Sequence, residues 1–169
     1  MLRHPSPERP TFSTLSLAQR ETRSLIRVAW ETGEEAAYFH GFVAGYARAL
    51  FTASTTDKIV LASQELVENA LRYSLLTKPI VYELSVNTTE VRVCVENATI
   101  ATRTAMLQEQ LRRIEQDPEA TYTAELERSM TGSGRRSMLG LSRIRHEASM
   151  TIGASVTGND VLVVASCRR

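Results

Sequence analysis

Glu65, Asn69 and Arg72 stand at i, i+4 and i+7. At about 100° per residue on a helix, a carboxylate, a carboxamide and a guanidinium fall within roughly 60° of one another. Ile59, Ala62, Leu66, Ala70 and Tyr73 form the adjoining apolar stripe, so the polar trio flanks the core-facing side of the helix instead of opposing it. A half-buried row of acid, amide and fixed cation is a place for hydrogen-bonding and charge chemistry, and it needs partners. Glu68 can pair with Arg72 at i, i+4, worth a few tenths of a kcal/mol.

The elements that must hold this row can be read from pattern and punctuation. The motif helix starts at an N-cap, Ser54 or Thr55, with Asp57 in its first turn, and runs to about Leu76 before Pro79 forbids continuation. Before it, residues 22–30 read as a strand, and Ala36, Phe39, His40, Val43, Tyr46, Ala47 and Leu50 keep a helical period. A lone histidine on such a face is expected to be a packed, hydrogen-bonded core residue. After the motif helix, residues 80–86 and 91–96 form a hairpin, with Asn97 at the end of the second strand. Residues 102–116 and 118–130 are two charged helices split at Asp117-Pro118, residues 131–137 a basic loop, and residues 138–147 a short helix. Residues 149–156 and 160–166 make a last hairpin turning at Gly158-Asn159. This order predicts an α/β (α+β) two-layer sandwich, a mixed and mostly antiparallel sheet with helices on one face.

With 169 residues, 43% of them hydrophobic and 23% charged, the chain suits one domain. Residues 1–15, with Pro5, Pro7 and Pro10, read as a disordered tail, and residues 16–169 as the single domain. A net charge of +1 argues against a nucleic-acid binder, and the cluster Arg135, Arg136, Arg143 and Arg145 lacks a recognition-helix pattern. Cys94 and Cys167 fit neither a disulfide scaffold nor a zinc site. No run reaches the ~20 apolar residues of a membrane span, and the expectation is a cytoplasmic protein.

The string Glu65-Leu66-Val67-Glu68-Asn69-Ala70-Leu71-Arg72-Tyr73-Ser74 resembles the N-box of the GHKL (Bergerat-fold) ATP-binding superfamily. The order of elements from residue 22 to the C-terminus is similar to that of its anti-sigma-factor serine kinase branch, including the SiaB-like regulators. The resemblance implies a histidine-kinase-like ATPase domain in which Asn69 coordinates magnesium through a neutral oxygen. It implies Glu65 as the general base, and Arg72 as a forked phosphate donor.

Two further motifs of that superfamily are altered. Where it has Asp-x-Gly-x-Gly for adenine, this chain has Val95-Glu96-Asn97-Ala98-Thr99. The resemblance leaves Asn97 as the adenine acceptor, a neutral group that holds the base less strongly; a strand-ending turn residue is the other reading. Where the superfamily has Gly-x-Gly-Leu-Gly-Leu against the phosphates, this chain has Arg136-Ser137-Met138-Leu139-Gly140-Leu141. Gly140 is retained, and Gly132 and Gly134 upstream stand in for the lost glycines.

The segment 102–130 occupies the position of the superfamily's ATP lid. Its apolar Met106, Leu107, Leu111 and Ile114 suit either a helix packed on its own domain or a lid or partner-docking helix. The resemblance therefore implies a cytoplasmic regulator in signal transduction that binds Mg-ATP and phosphorylates or sequesters a partner, a STAS-domain antagonist or a sigma factor, and that forms a homodimer. The altered motifs keep a second expectation open: a non-enzymatic interaction module on a degenerate Bergerat fold that no longer binds ATP.

Overall fold

The computed structural model describes residues 22–30, 36–75, 77–131 and 139–169. Its elements are β1 (Arg23–Trp30), α1 (Ala36–Leu50), α2 (Ala53–Tyr73), β2 (Ile80–Val86), β3 (Glu90–Ala98), α3 (Ala101–Gln116), α4 (Pro118–Met130), α5 (Leu139–His146), β4 (Thr151–Thr157) and β5 (Asp160–Arg168). The strands form one sheet in the order β1-β2-β3-β5-β4, every neighbouring pair antiparallel.

Alternation explains which face the helices cover. Val28, Tyr82, Val95 and Val163 lie in one cross-strand row, and Ile26, Leu84, Val93 and Ala165 in the next. These side chains pack with α1, α2 and α5 in a single core. The opposite face carries the row Arg27, Glu83, Cys94 and Val164, with Arg27 and Glu83 3.7 Å apart. At the core's centre, Phe39 of α1 meets Trp30 and Tyr82 edge-on at 4.7 and 4.6 Å, a favoured aromatic geometry. The Tyr82 hydroxyl hydrogen-bonds Ser63 of α2 at 2.9 Å, which ties sheet to motif helix. His40 is half-buried on α1 as its period predicts, but its Nδ1 is buried without a hydrogen-bond partner among the described residues.

The element boundaries differ from expectation at the ends of α2 and at β3. Thr52, not Ser54 or Thr55, caps α2, its hydroxyl accepting from the Thr55 amide. The helix stops at Tyr73, short of Leu76, because Ser74 is already extended at φ −65°, ψ 145°. Asn97 lies inside β3, paired with Val161 of β5, instead of following the strand. Glu68 takes a hydrogen bond from Gln64 in place of the expected Arg72.

Asp117 closes α3 and opens α4. Its amide donates to Arg113 O, and its carboxylate accepts from the Ala120 amide at 2.9 Å, with Pro118 at the first turn. No described helix is long and apolar enough to cross a membrane.

Candidate functional site

The motif helix divides its polar row between two environments. Asn69 lines a cavity of about 60 Å³ between α2 and the sheet, together with Ala70, Tyr73, Val95, Asn97 and Val163. Thr99, Arg103, Met106 and Leu107 close it from the β3–α3 junction and the first turns of α3, and Leu141 from α5. Asn97 is 8% exposed and donates through Nδ2 to the Ala98 carbonyl at 3.2 Å, leaving its amide oxygen unused. The Asn69 side chain makes no hydrogen bond with the described residues.

The C-terminal end of α2 fixes α3 over this cavity. The Tyr73 carbonyl, one of the helix's last acceptors, takes the Thr99 hydroxyl at 2.8 Å and Arg103 Nη1 at 2.9 Å. The Arg103 guanidinium also lies 5.4 Å from the Tyr73 ring centroid. A cation at the negative end of the helix dipole is favourably placed. Arg72 is exposed and has no ion pair among the described residues; its guanidinium sits 5.9 Å from the Tyr73 ring.

Glu65 lies outside the cavity lining, one turn earlier and under α5. It is 9% exposed, and burial pushes its carboxyl above the ordinary range while Arg143 pulls the other way. Arg143 Nη1 donates to Glu65 Oε1 at 2.5 Å, and the same guanidinium grips Glu147 through Nε at 3.0 Å and Nη2 at 3.1 Å. Tyr122 of α4 donates its hydroxyl to Glu147, and its ring stacks on His146 at 4.0 Å. Gly140, the retained glycine, is buried directly against the Glu65 carboxylate, with no space for a Cβ.

A second buried polar cluster braces the same helices. Glu125 of α4 accepts from Ser142 Oγ of α5 at 2.5 Å and from Gln110 Nε2 of α3 at 3.1 Å. Desolvation raises its carboxyl above the ordinary range.

The structure thus joins Asn69 with Asn97, and Glu65 with Gly140, and leaves Arg72 at the surface. Gly132 and Gly134 lie outside the described residues. The partners that pattern reading missed are Thr99, Arg103, Glu125 and Ser142, and the role of Arg143. Only Arg143 left a local trace, the i, i+4 spacing to Glu147. The others meet across helices and have no sequence period.

For a magnesium nucleotide, the donor chemistry fits: Asn69 has a free neutral oxygen and Asn97 a spare acceptor. The volume does not fit with α3 where it stands, since small-molecule sites span roughly 300–1,000 Å³. A nucleotide would need Met106 and Leu107 to withdraw.

No family model and no curated protein matches the chain. Among solved structures, a chain in the crystal structure of the SiaB-SiaC complex from Pseudomonas aeruginosa superposes with a TM-score of 0.66 at 16% identity, over 94% of this chain and 99% of that one. The two share a fold. That fold accounts for the sandwich predicted from the order of elements; at this identity it speaks for architecture alone.

Proposed function

We propose that this protein is a cytoplasmic regulator that binds Mg-ATP between α2 and β3 and phosphorylates or sequesters a partner protein. The observation that carries this reading is the convergence of Asn69 and Asn97, from two separate elements, on one cavity capped by α3. Support also comes from the shared fold with a chain that was crystallised in a two-protein complex. In this reading Asn69 would hold magnesium through its neutral oxygen and Asn97 would hold the adenine through its spare acceptor. The phosphates would fall to Arg72, which stands at the surface beside the cavity, and to the glycines at 132, 134 and 140, of which Gly140 packs on Glu65 outside the cavity lining. Bound Mg-ATP supplies a transferable phosphoryl group, and the protein's part is mainly positioning and charge neutralisation. Glu65 becomes a base for a partner hydroxyl once Arg143 releases it. A STAS-domain antagonist or a sigma factor is the proposed partner class.

A second reading has its own observation. The small cavity and the Glu65–Arg143 ion pair together favour a partner-binding module that has given up nucleotide. Titration of the purified chain with ATP and magnesium, beside Asn69→Ala, separates the two. Saturable binding that Asn69→Ala weakens supports the kinase reading. No saturable binding up to millimolar nucleotide sinks it and leaves the module. Where binding is seen, labelled ATP with candidate STAS-like partners asks whether phosphate moves.

A further inference from the structure

Among the residues that line the Asn69 cavity, Arg103 is the only charged one. The other arginines of α3, Arg112 and Arg113, are both ion-paired with Glu109. Arg103 is half-buried and has no carboxylate partner among the described residues. It is held by the Tyr73 carbonyl at 2.9 Å and by the Tyr73 ring, whose centroid lies 5.4 Å from the guanidinium. A carbonyl and an aromatic face attract a cation without neutralising it, and most of the guanidinium's N–H donors stay unused. Withdrawing a charge from water with no counter-charge is costly, so the position calls for an anion.

Charge is sorted along the motif helix. On its N-terminal side Glu65 and Glu147 share Arg143, and Glu68 stands close enough to act on Glu65, so negative charge is in excess there. On its C-terminal side Arg72 and Arg103 gather at the Tyr73 ring, and neither has an ion pair among the described residues. An anion entering the cavity is repelled from the first end and drawn to the second. Gly140 does not compete for it, because it packs on the Glu65 carboxylate outside the cavity lining.

We infer that Arg103 is a phosphate-binding residue of this cavity, giving up the Tyr73 carbonyl to take a phosphate of the bound nucleotide through charge-assisted hydrogen bonds. The inference rests on the nucleotide reading above and extends it. One side chain then serves two states. Without ligand, Arg103 straps the first turns of α3 to the end of α2, which keeps Met106 and Leu107 over the cavity. With ligand, those two side chains have withdrawn, and the phosphate replaces the carbonyl that the strap has lost. A nucleoside has to open the same strap and offers Arg103 nothing in exchange. The cavity is therefore selective for the phosphorylated form of its ligand.

Calorimetric titration of the full chain with ADP and with adenosine, both in magnesium buffer, tests this through a ratio. Releasing α3 acts on both ligands alike, so the ratio of the two affinities isolates the phosphate contact from the strap. The wild type is expected to favour ADP. Arg103→Gln is expected to lower that preference roughly 10- to 100-fold, the effect of losing a charge-assisted hydrogen bond. Arg103→Lys keeps the charge without the fork and is expected to fall between the two. Arg113→Gln removes an equal charge farther along the same helix and is expected to leave the ratio at its wild-type value. A ratio that Arg103→Gln leaves unchanged makes the residue a strap alone and overturns the inference. So does an equal fall with Arg113→Gln, or a wild type that binds both ligands equally well. A wild type with no saturable binding of either ligand sinks the nucleotide reading itself, and this inference with it.

Discussion

Gly140 is seated on the carboxylate of Glu65: a single carbon added to the glycine would meet Oε2 inside its van der Waals shell. The Leu-Gly-Leu run is therefore held to glycine by a side chain on another helix, with no demand from backbone conformation. The carboxylate cannot simply turn aside, because Arg143 holds its other oxygen.

Gly140→Ala is expected to cost about 1–3 kcal/mol through overpacking. Glu65→Ala in the same background should recover much of that cost, since it removes the obstructing group. Urea unfolding of the two single variants and the double variant gives the coupling directly. Strictly additive effects would mean that the glycine is constrained by something else.

Arg143→Met leaves Glu65 buried without its cation and is expected to cost about 1–3 kcal/mol at pH 7. The figure is held below that of a fully buried pair because Arg143 is 35% exposed. Its carboxyl, already raised by burial, rises further. Adding Glu65→Gln should restore part of the stability; a double variant no better than Arg143→Met places the loss in Glu147 instead.

Two groups of carboxylates give the pH profile opposite slopes. Glu65 and Glu125 have folded values above 4.5. The folded state then binds more protons, and stability falls as pH rises from about 4.5 through their folded values. Glu109, lowered to about 2 by Arg112 and Arg113, and Glu147, lowered chiefly by Arg143, act the other way. Their contribution is present above 4.5 and lost as pH falls through their folded values, about 2 for Glu109. Stability is expected to peak in mild acid. Glu125→Gln, which imitates the protonated group, should flatten the decline on the neutral side in urea unfolding at stepped pH. A variant with the wild-type slope there would exclude Glu125 as its source.

Arg103→Ala should free the first turns of α3. It removes a bond to the Tyr73 carbonyl and a cation from the ring, for a loss of about 1–2 kcal/mol in local stability. Hydrogen exchange read by mass spectrometry is expected to show lost protection over residues 101–107, with the core strands unchanged. Unchanged protection there would place the hold on α3 elsewhere.

Much of the architecture was legible because it rests on local periods. The alternation of residues 80–86, the stripe of Ile59, Leu66 and Ala70, and the glycine turn at residue 158 each declare their element. What escaped was set by contacts between elements. Thr52 caps α2 in place of Ser54 or Thr55 because its backbone, φ −64° and ψ 160°, is still extended where theirs is helical. Asn97 was placed at a strand end because it looks like a turn residue, but the long pairing with β5 carries the strand past it. Glu125 lies in a segment whose pattern declares only a charged helix. Only the approach of Ser142 and Gln110 from two other helices makes it a buried acceptor.

The shared corner at Asp117 makes one lever of two helices. α3 closes the Asn69 cavity; α4, joined to it at Asp117, is pinned to α5 by Glu125 with Ser142 and by Tyr122 with Glu147. α5 in turn holds Glu65 through Arg143. The helix over the cavity and the buried acid are thus the two ends of one run of contacts.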